Sequence, residues 1–284
     1  MNIITSLRAM QEFAAAARLQ KKRIGVVPTM GFLHEGHLSL VRTAKEHSDL
    51  VIMTIFVNPT QFAPNEDLSR YPRDFDRDRA LAESAGVDVL FAPTAEEMYP
   101  PDFDVYVSSE HLGTMLEGEF RPTHFRGVLT IVAKLFNISK ANVAVFGQKD
   151  AQQAVVIKRM VRDLNFDIDI IIAPILREPD GLAMSSRNVY LSPAGRKQAL
   201  ALSRSLKLAE EMIARGERNA QAIIQSMSAH ILREPDAKID YIAITNHETL
   251  EQIPTLQNGT TALISLAVRI GKTRLIDNVT VDIL

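Results

Sequence analysis

Along the first two thirds of this chain, short apolar runs at residues 24–27, 50–57, 87–91, 143–146 and 167–172 alternate with helical patterns at 38–47, 74–85, 125–138 and 151–164. Mostly continuous apolar strands need cover on both faces, and helices placed between them supply it. The pattern predicts an α/β fold built on a doubly wound parallel sheet. Past about residue 175 it changes. Two helical stretches at 193–215 and 219–232 precede strand-like runs at 239–245 and 262–268 and a tail to residue 284, with a hairpin expected near the end. The expected organisation is therefore a domain over 1–175 and a smaller α+β domain over 176–284, without internal repeats or a Gly/Ser linker.

Composition excludes several classes. The formal net charge is -2, with 32 basic against 34 acidic residues and no long basic block, so neither nucleic acid nor an anionic membrane is the expected partner. There is no cysteine, hence no disulfide, thiolate nucleophile or Cys-ligated zinc. No apolar run approaches the roughly 20 residues of a membrane helix, and residues 1–22 lack the apolar core of a signal peptide. A cytoplasmic protein acting on small molecules is expected. Three N-x-[ST] triplets, at Asn137, Asn258 and Asn278, carry no weight without secretion.

Ligands of doubly wound sheets bind beyond the carboxyl ends of the strands, which directs attention to residues 28–37, 58–62 and 147–153. The first of these contains Met30-Gly31-Phe32-Leu33-His34-Glu35-Gly36-His37, a glycine-bearing turn between a strand and a helix. Such a turn lets a ligand approach the backbone, and the helix N-terminus offers N–H groups to an anion. His34 and His37 can add ring N–H donors toward phosphate. Plain surface histidines and a zinc pair are the competing explanations, although H-E-G-H does not have the H-E-x-x-H spacing of a zinc helix. Gly271-Lys272-Thr273 fails as a P-loop because Leu266 stands where its first glycine is required, and no G-x-G-x-x-G is present.

The other strand ends carry polar groups of complementary kinds. Asn58-Pro59-Thr60-Gln61 places two amides, able to donate and accept, after the second run. Gly147-Gln148-Lys149-Asp150 follows the fourth, with Lys149 as a movable positive charge and Asp150 suited equally to capping the next helix. The basic stretch from Arg121 to Gly127 precedes a long helix and reads equally as a solvated helix start. Between Arg177 and Asn188, Ser185, Ser186 and Arg187 lie beyond a Gly181 turn, as a mobile anion clamp suited to a leaving pyrophosphate or as an ordinary loop.

Taken in order, P-T-M-G-F-L-H-E-G-H (28–37), F-V-N-P-T-Q-F (56–62), H-F-R-G-V (124–128), G-Q-K-D-A-Q-Q (147–153) and D-G-L-A-M-S-S-R-N (180–188) resemble the pantoate–β-alanine ligase family over nearly the whole chain. The histidine turn resembles the HIGH motif of a wider nucleotidyltransferase superfamily. Phe32 departs from the smaller residue often found there, a change expected to affect packing more than chemistry. The resemblance implies a Rossmann-like sheet with a C-terminal lid, a homodimer, and condensation of (R)-pantoate with β-alanine through a pantoyl-adenylate, releasing AMP and pyrophosphate. It further implies that Met30 to His37, Gly147 to Asp150, Leu176 and Met184 to Arg187 bind ATP. His34, His37, Lys149, Ser185 and Arg187 would act on the phosphates, with Gln61 and Gln153 holding pantoate and Gln61 lying near the β-alanine path. Mg²⁺ is expected on the phosphates, with no protein ligands of its own. A nucleotidyltransferase that stops at nucleotide transfer, a tRNA synthetase and a non-catalytic nucleotide sensor are the rival classes.

Overall fold

The structure is a computed structural model describing residues 1–64 and 66–284. In chain order its principal elements are β1 (Asn2–Ile4), α1 (Leu7–Leu19), β2 (Ile24–Val27), α2 (Glu35–His47), β3 (Leu50–Thr54), α3 (Phe75–Ser84), β4 (Val89–Phe91), α4 (Ala95–Met98), α5 (Glu117–Phe120) and α6 (His124–Ser139). There follow β5 (Val143–Gly147), α7 (Ala151–Asp163), β6 (Asp169–Ala173), α8 (Pro193–Ala214), α9 (Ala220–Ile231), β7 (Ala237–Asn246), β8 (Thr261–Ile270) and β9 (Thr273–Asp282).

The chain divides into two compact units. The first comprises Met1–Thr114, Arg121–Gly147 and Val156–Pro174, and the second Met115–Phe120, Gln148–Val155 and Ile175–Leu284. The division is not one cut in the sequence, since two short segments before residue 175 belong with the second unit.

In the first unit six strands form an all-parallel sheet in the order β1-β4-β3-β2-β5-β6, as the apolar runs predict. Every residue of β2 and β3 is buried, which explains why those runs are continuous rather than alternating. Val27, Val51, Met53, Leu90 and Val145 build a core against Leu40, Val41 and Ala44 of α2. The edge strand β1 and helix α1 are elements that the sequence did not announce. In α1 only Met10, Ala14 and Ala17 are buried, a stripe too small and alanine-rich to stand out, and Ser6 caps the helix by accepting from the Ala9 N–H.

The second unit packs α8 and α9 on an antiparallel sheet β7-β8-β9. Leu202, Leu206, Ile223 and Met227 meet Ile264, Leu266 and Val268. Gly271 and Lys272, which fail as a phosphate loop, form the two-residue turn of the β8–β9 hairpin. Arg274 of β9 makes two bonds to the Glu117 carboxylate, at 2.7 and 2.8 Å, and a third to Asp240 at 2.7 Å. That ion cluster ties α5 to the C-terminal sheet.

Candidate active site

The strand order reverses at β2, with β3 and β4 continuing to one side and β5 and β6 to the other. The carboxyl ends of β2 and β5 thus flank the topological switch point, where doubly wound sheets take their ligands. The histidine turn follows β2 directly.

That turn is held from two sides. The Thr29 hydroxyl donates to the Thr54 carbonyl at 2.5 Å and accepts from the Gly31 N–H at 3.2 Å, anchoring the turn to the end of β3. From the other side comes Asp78 of α3, only 1% exposed, whose carboxylate accepts the backbone N–H groups of Phe32 and Leu33, both at 2.6 Å. Burial raises the Asp78 pKa, opposed by the Leu33 and Phe32 N–H groups and by nearby Arg77. Gly31 and Phe32 have φ of +84° and +49°. At Gly31 a Cβ would also stand 2.9 Å from Asp78 Oδ2, so glycine is required there twice over. Phe32 adopts the left-handed region despite its side chain, and the Arg77 guanidinium lies 5.2 Å from its ring centroid. The departure at Phe32 therefore bears on the backbone as well as on packing. Asp78 takes the Phe32 and Leu33 amides, so those two N–H groups of the turn are already engaged within the protein.

His34 is the N-cap residue of α2, and its ring lies against that of His37, with centroids 4.0 Å apart. The His34 backbone N–H donates to His37 Nδ1 at 3.3 Å. A neutral imidazole that accepts at Nδ1 carries its proton on Nε2.

After β3, Asn58 caps a short 3₁₀ turn, Pro59–Gln61, whose last residue carries the second amide. Both are buried: Asn58 Nδ2 donates to Gln61 Oε1 at 3.0 Å and to the Gly127 carbonyl at 3.1 Å. Gln61 Nε2 in turn lies 3.1 Å from Met30 Sδ, which brings the pantoate candidate against the histidine turn. The Arg121 to Gly127 stretch is no solvated helix start. His124 Nδ1 lies 3.0 Å from the Gln61 carbonyl, and Arg121 pairs with Glu66 at 2.7 Å.

In the second unit Gln148, Lys149 and Asp150 form a 3₁₀ turn leading into α7. Lys149 Nζ is 3.7 Å from the Asp150 carboxylate. The turn is fastened by Asn278, 2% exposed on β9, whose Nδ2 donates to the carbonyls of Gln148 at 3.0 Å and Lys149 at 2.9 Å. The sequence presented Asn278 only as part of a glycosylation triplet, and its burial rules that role out in the folded chain. Asp78 and Asn278 are the two residues that sequence reasoning missed, because each is defined by partners far away in the chain. Gln153 lies on α7, half-buried, one position from Gln152, which is buried and donates to the Met115 carbonyl at 2.7 Å.

The loop bearing Ser185 to Arg187 is tied down rather than slack. Met184 N donates to the Leu176 carbonyl at 3.0 Å and Glu178 N to that of Leu182 at 2.8 Å, closing the loop around Gly181. Ser185 accepts from the Arg187 N–H at 3.2 Å, Ser186 is buried, and Asn188 donates to Glu178 at 2.7 Å.

These strand-end groups coincide with a match of the pantoate-beta-alanine ligase sequence model to residues 2–280. The chain belongs to the pantoate–β-alanine ligase family. Curated relatives named pantothenate synthetase include those of Thermotoga petrophila, 56% identical with 98% of this chain and 99% of the relative aligned, and Chloroherpeton thalassium, 53% identical over the whole of both. Among solved structures, pantothenate synthetase from Thermus thermophilus superposes with a TM-score of 0.91 at 44% identity, covering 98% of this chain and 99% of that one. The Francisella tularensis pantoate–β-alanine ligase, described as complexed with β,γ-ATP and β-alanine, gives 0.79 at 35% identity, with 98% and 97% covered. As a pantoate–β-alanine ligase this chain is an enzyme of pantothenate biosynthesis.

Proposed function

We propose that this ligase activates (R)-pantoate with ATP and transfers the pantoyl group to β-alanine. In the first step a pantoate carboxylate oxygen attacks the α-phosphorus, the bond to pyrophosphate breaks, and pantoyl-adenylate forms. In the second, the β-alanine amine attacks the activated carbonyl, AMP leaves, and the amine gives up a proton as the amide forms. Neither step needs a nucleophile from the protein. The enzyme's contribution is to orient the acid and to stabilise charge on the phosphates.

The observation that carries this reading is the hydrogen bond from the His34 N–H to His37 Nδ1 at the start of α2, a contact that favours an imidazole carrying its proton on Nε2. Such a donor stabilises a phosphate oxygen without transferring its proton. By the family resemblance, Met30 to His37, Gly147 to Asp150, Leu176 and Met184 to Arg187 bind ATP. Lys149, Ser185 and Arg187 act with the two histidines on the phosphates, and Gln61 and Gln153 hold pantoate. The Francisella relative's complex supports ATP and β-alanine as ligands. By the same resemblance Mg²⁺ would be held through phosphate oxygens. There it would neutralise charge on the leaving pyrophosphate.

The nucleotidyltransferase-like turn, a homodimer and a cytoplasmic site of action, where ATP is supplied, complete the proposal. The test is isotope exchange between ATP and pyrophosphate with pantoate alone, followed by AMP release on adding β-alanine. Exchange that required β-alanine, or none with pantoate, would remove the adenylate. A nucleotidyltransferase that stops after the first step would show exchange without AMP release.

A further inference from the structure

The polarity of a buried carboxamide is ambiguous unless its partners can only donate or only accept. Asn58 has one of each from the backbone. Thr60 N–H, a pure donor, lies 3.4 Å from Oδ1, and the Gly127 carbonyl, a pure acceptor, lies 3.1 Å from Nδ2. The Tyr99 and Thr60 hydroxyls lie 2.9 Å from Oδ1 as two further donors. Asn58 is thereby locked with Nδ2 toward Gln61, where it donates to Oε1 at 3.0 Å. Gln61 then has no choice of polarity. Its oxygen is occupied from within the protein and its Nε2, beside Met30 Sδ, is turned the other way.

The place of Gln61 is set as tightly as its polarity. A Cβ on Gly127 would stand 2.5 Å from the Thr60 carbonyl oxygen and 2.6 Å from both N and Cα of Gln61, all backbone atoms with no flexible end to yield. Only a glycine at this position of α6 lets the 3₁₀ turn rest directly on the helix.

We propose that Tyr99 and Gly127 are positioning residues for the acid substrate: acting through Asn58 and the 3₁₀ turn, they fix the polarity and place of the Gln61 amide, so that Nε2 is offered to a carboxylate or hydroxyl oxygen. The proposal rests on Gln61 being a pantoate ligand. It makes Gln61 a donor that reads oxygen acceptors on the α-hydroxy acid, with the structural elements behind it excluding the reverse orientation.

The experiment is pantoate-dependent ATP–pyrophosphate exchange on the full chain, with KM for pantoate and for ATP measured separately. Gly127→Ala displaces the turn and is expected to raise the pantoate KM at least about 10-fold, within the range for small misplacements at a reacting centre. Tyr99→Phe, losing one neutral hydrogen bond, should raise it about 5-fold. Both should leave the ATP KM within about 2-fold, a split that a general loss of stability does not produce. Gln61→Glu, which replaces the donor with an acceptor, should cost at least as much pantoate affinity as Gln61→Ala.

The double variant Gly127→Ala/Gln61→Ala should match Gln61→Ala alone, because a residue acting through Gln61 has nothing further to lose. Additive effects would overturn the proposal, as would unchanged pantoate KM in folded Gly127→Ala and Tyr99→Phe proteins, while leaving Gln61 in place as a ligand. An unchanged pantoate KM in Gln61→Ala would instead remove Gln61 from the site, and the proposal with it. Should Gly127→Ala not fold, Tyr99→Phe and its double variant with Gln61→Ala decide the matter on the same criteria.

Discussion

Asp78 Oδ2 accepts the backbone N–H of Phe32 at 2.6 Å across 46 positions of sequence, and its other oxygen takes Leu33 at the same distance. A buried carboxylate thus braces the left-handed stretch from which the histidine helix starts. Asp78→Asn keeps the shape but leaves one carboxamide oxygen, and an NH₂ group in place of the second acceptor. Loss of a charged hydrogen bond to a buried N–H costs about 2 kcal/mol locally. The expected result is faster hydrogen exchange at the Phe32 and Leu33 amides, together with a fall of about 10-fold in adenylation through the displaced histidines. Unchanged protection at both amides would show that the carboxylate does not hold the turn.

His37→Ala should lower the pantoate-dependent exchange rate about 10²- to 10³-fold, the usual effect of removing one preorganised donor. His37→Gln keeps an N–H donor near the same point and should retain more activity than His37→Ala. If the two variants were equally inactive, proton transfer by the imidazole would be the better account of His37.

Asn278→Ala removes the donor shared by the Gln148 and Lys149 carbonyls and leaves both without that partner. Its KM for ATP should rise several-fold, with a smaller loss of exchange rate than Lys149→Ala, because the charge remains while its support loosens. An ATP KM equal to that of the parent enzyme would confine Asn278 to a structural role.

Burial, its largest influence, pushes the Tyr99 hydroxyl up from 10 to about 12; Tyr106 adds to the shift, and the Thr60 hydrogen bond works against it. Between pH 10 and 12 the unfolded chain loses this proton while the folded chain keeps it, so stability falls as pH rises through that window and is fully present below it. The slope attributable to one group cannot exceed about 1.4 kcal/mol per pH unit. Melting temperatures from pH 9 to 12 should therefore fall less steeply in Tyr99→Phe than in the parent. Parallel curves would mean that the phenol titrates alike in both states. Tyr241, also raised by burial, is present in both proteins and cancels in the comparison.

The alternation of apolar runs with helical patterns was enough to determine the parallel sheet, because strands buried on both faces must be apolar throughout and that property is written locally. The motifs at the strand ends were visible for the same reason, each being a short run of sequence, although each run taken alone suited more than one role. Helix α1 was not, since its buried stripe is three small or single residues. Tertiary structure alone decided what holds the site. Asp78 looks like any acidic residue on an exposed helix until α3 brings it under the Phe32 turn. Asn278 looks like a surface triplet until β9 brings it beneath Lys149. Glu117 and Arg274 form their ion pair across 157 positions. Sequence pattern records what a residue must avoid, water or its absence, within a few neighbours. Which buried donor meets which acceptor depends on the three-dimensional path of the chain, and in this enzyme those pairings fix His37, Gln61 and Lys149 in place.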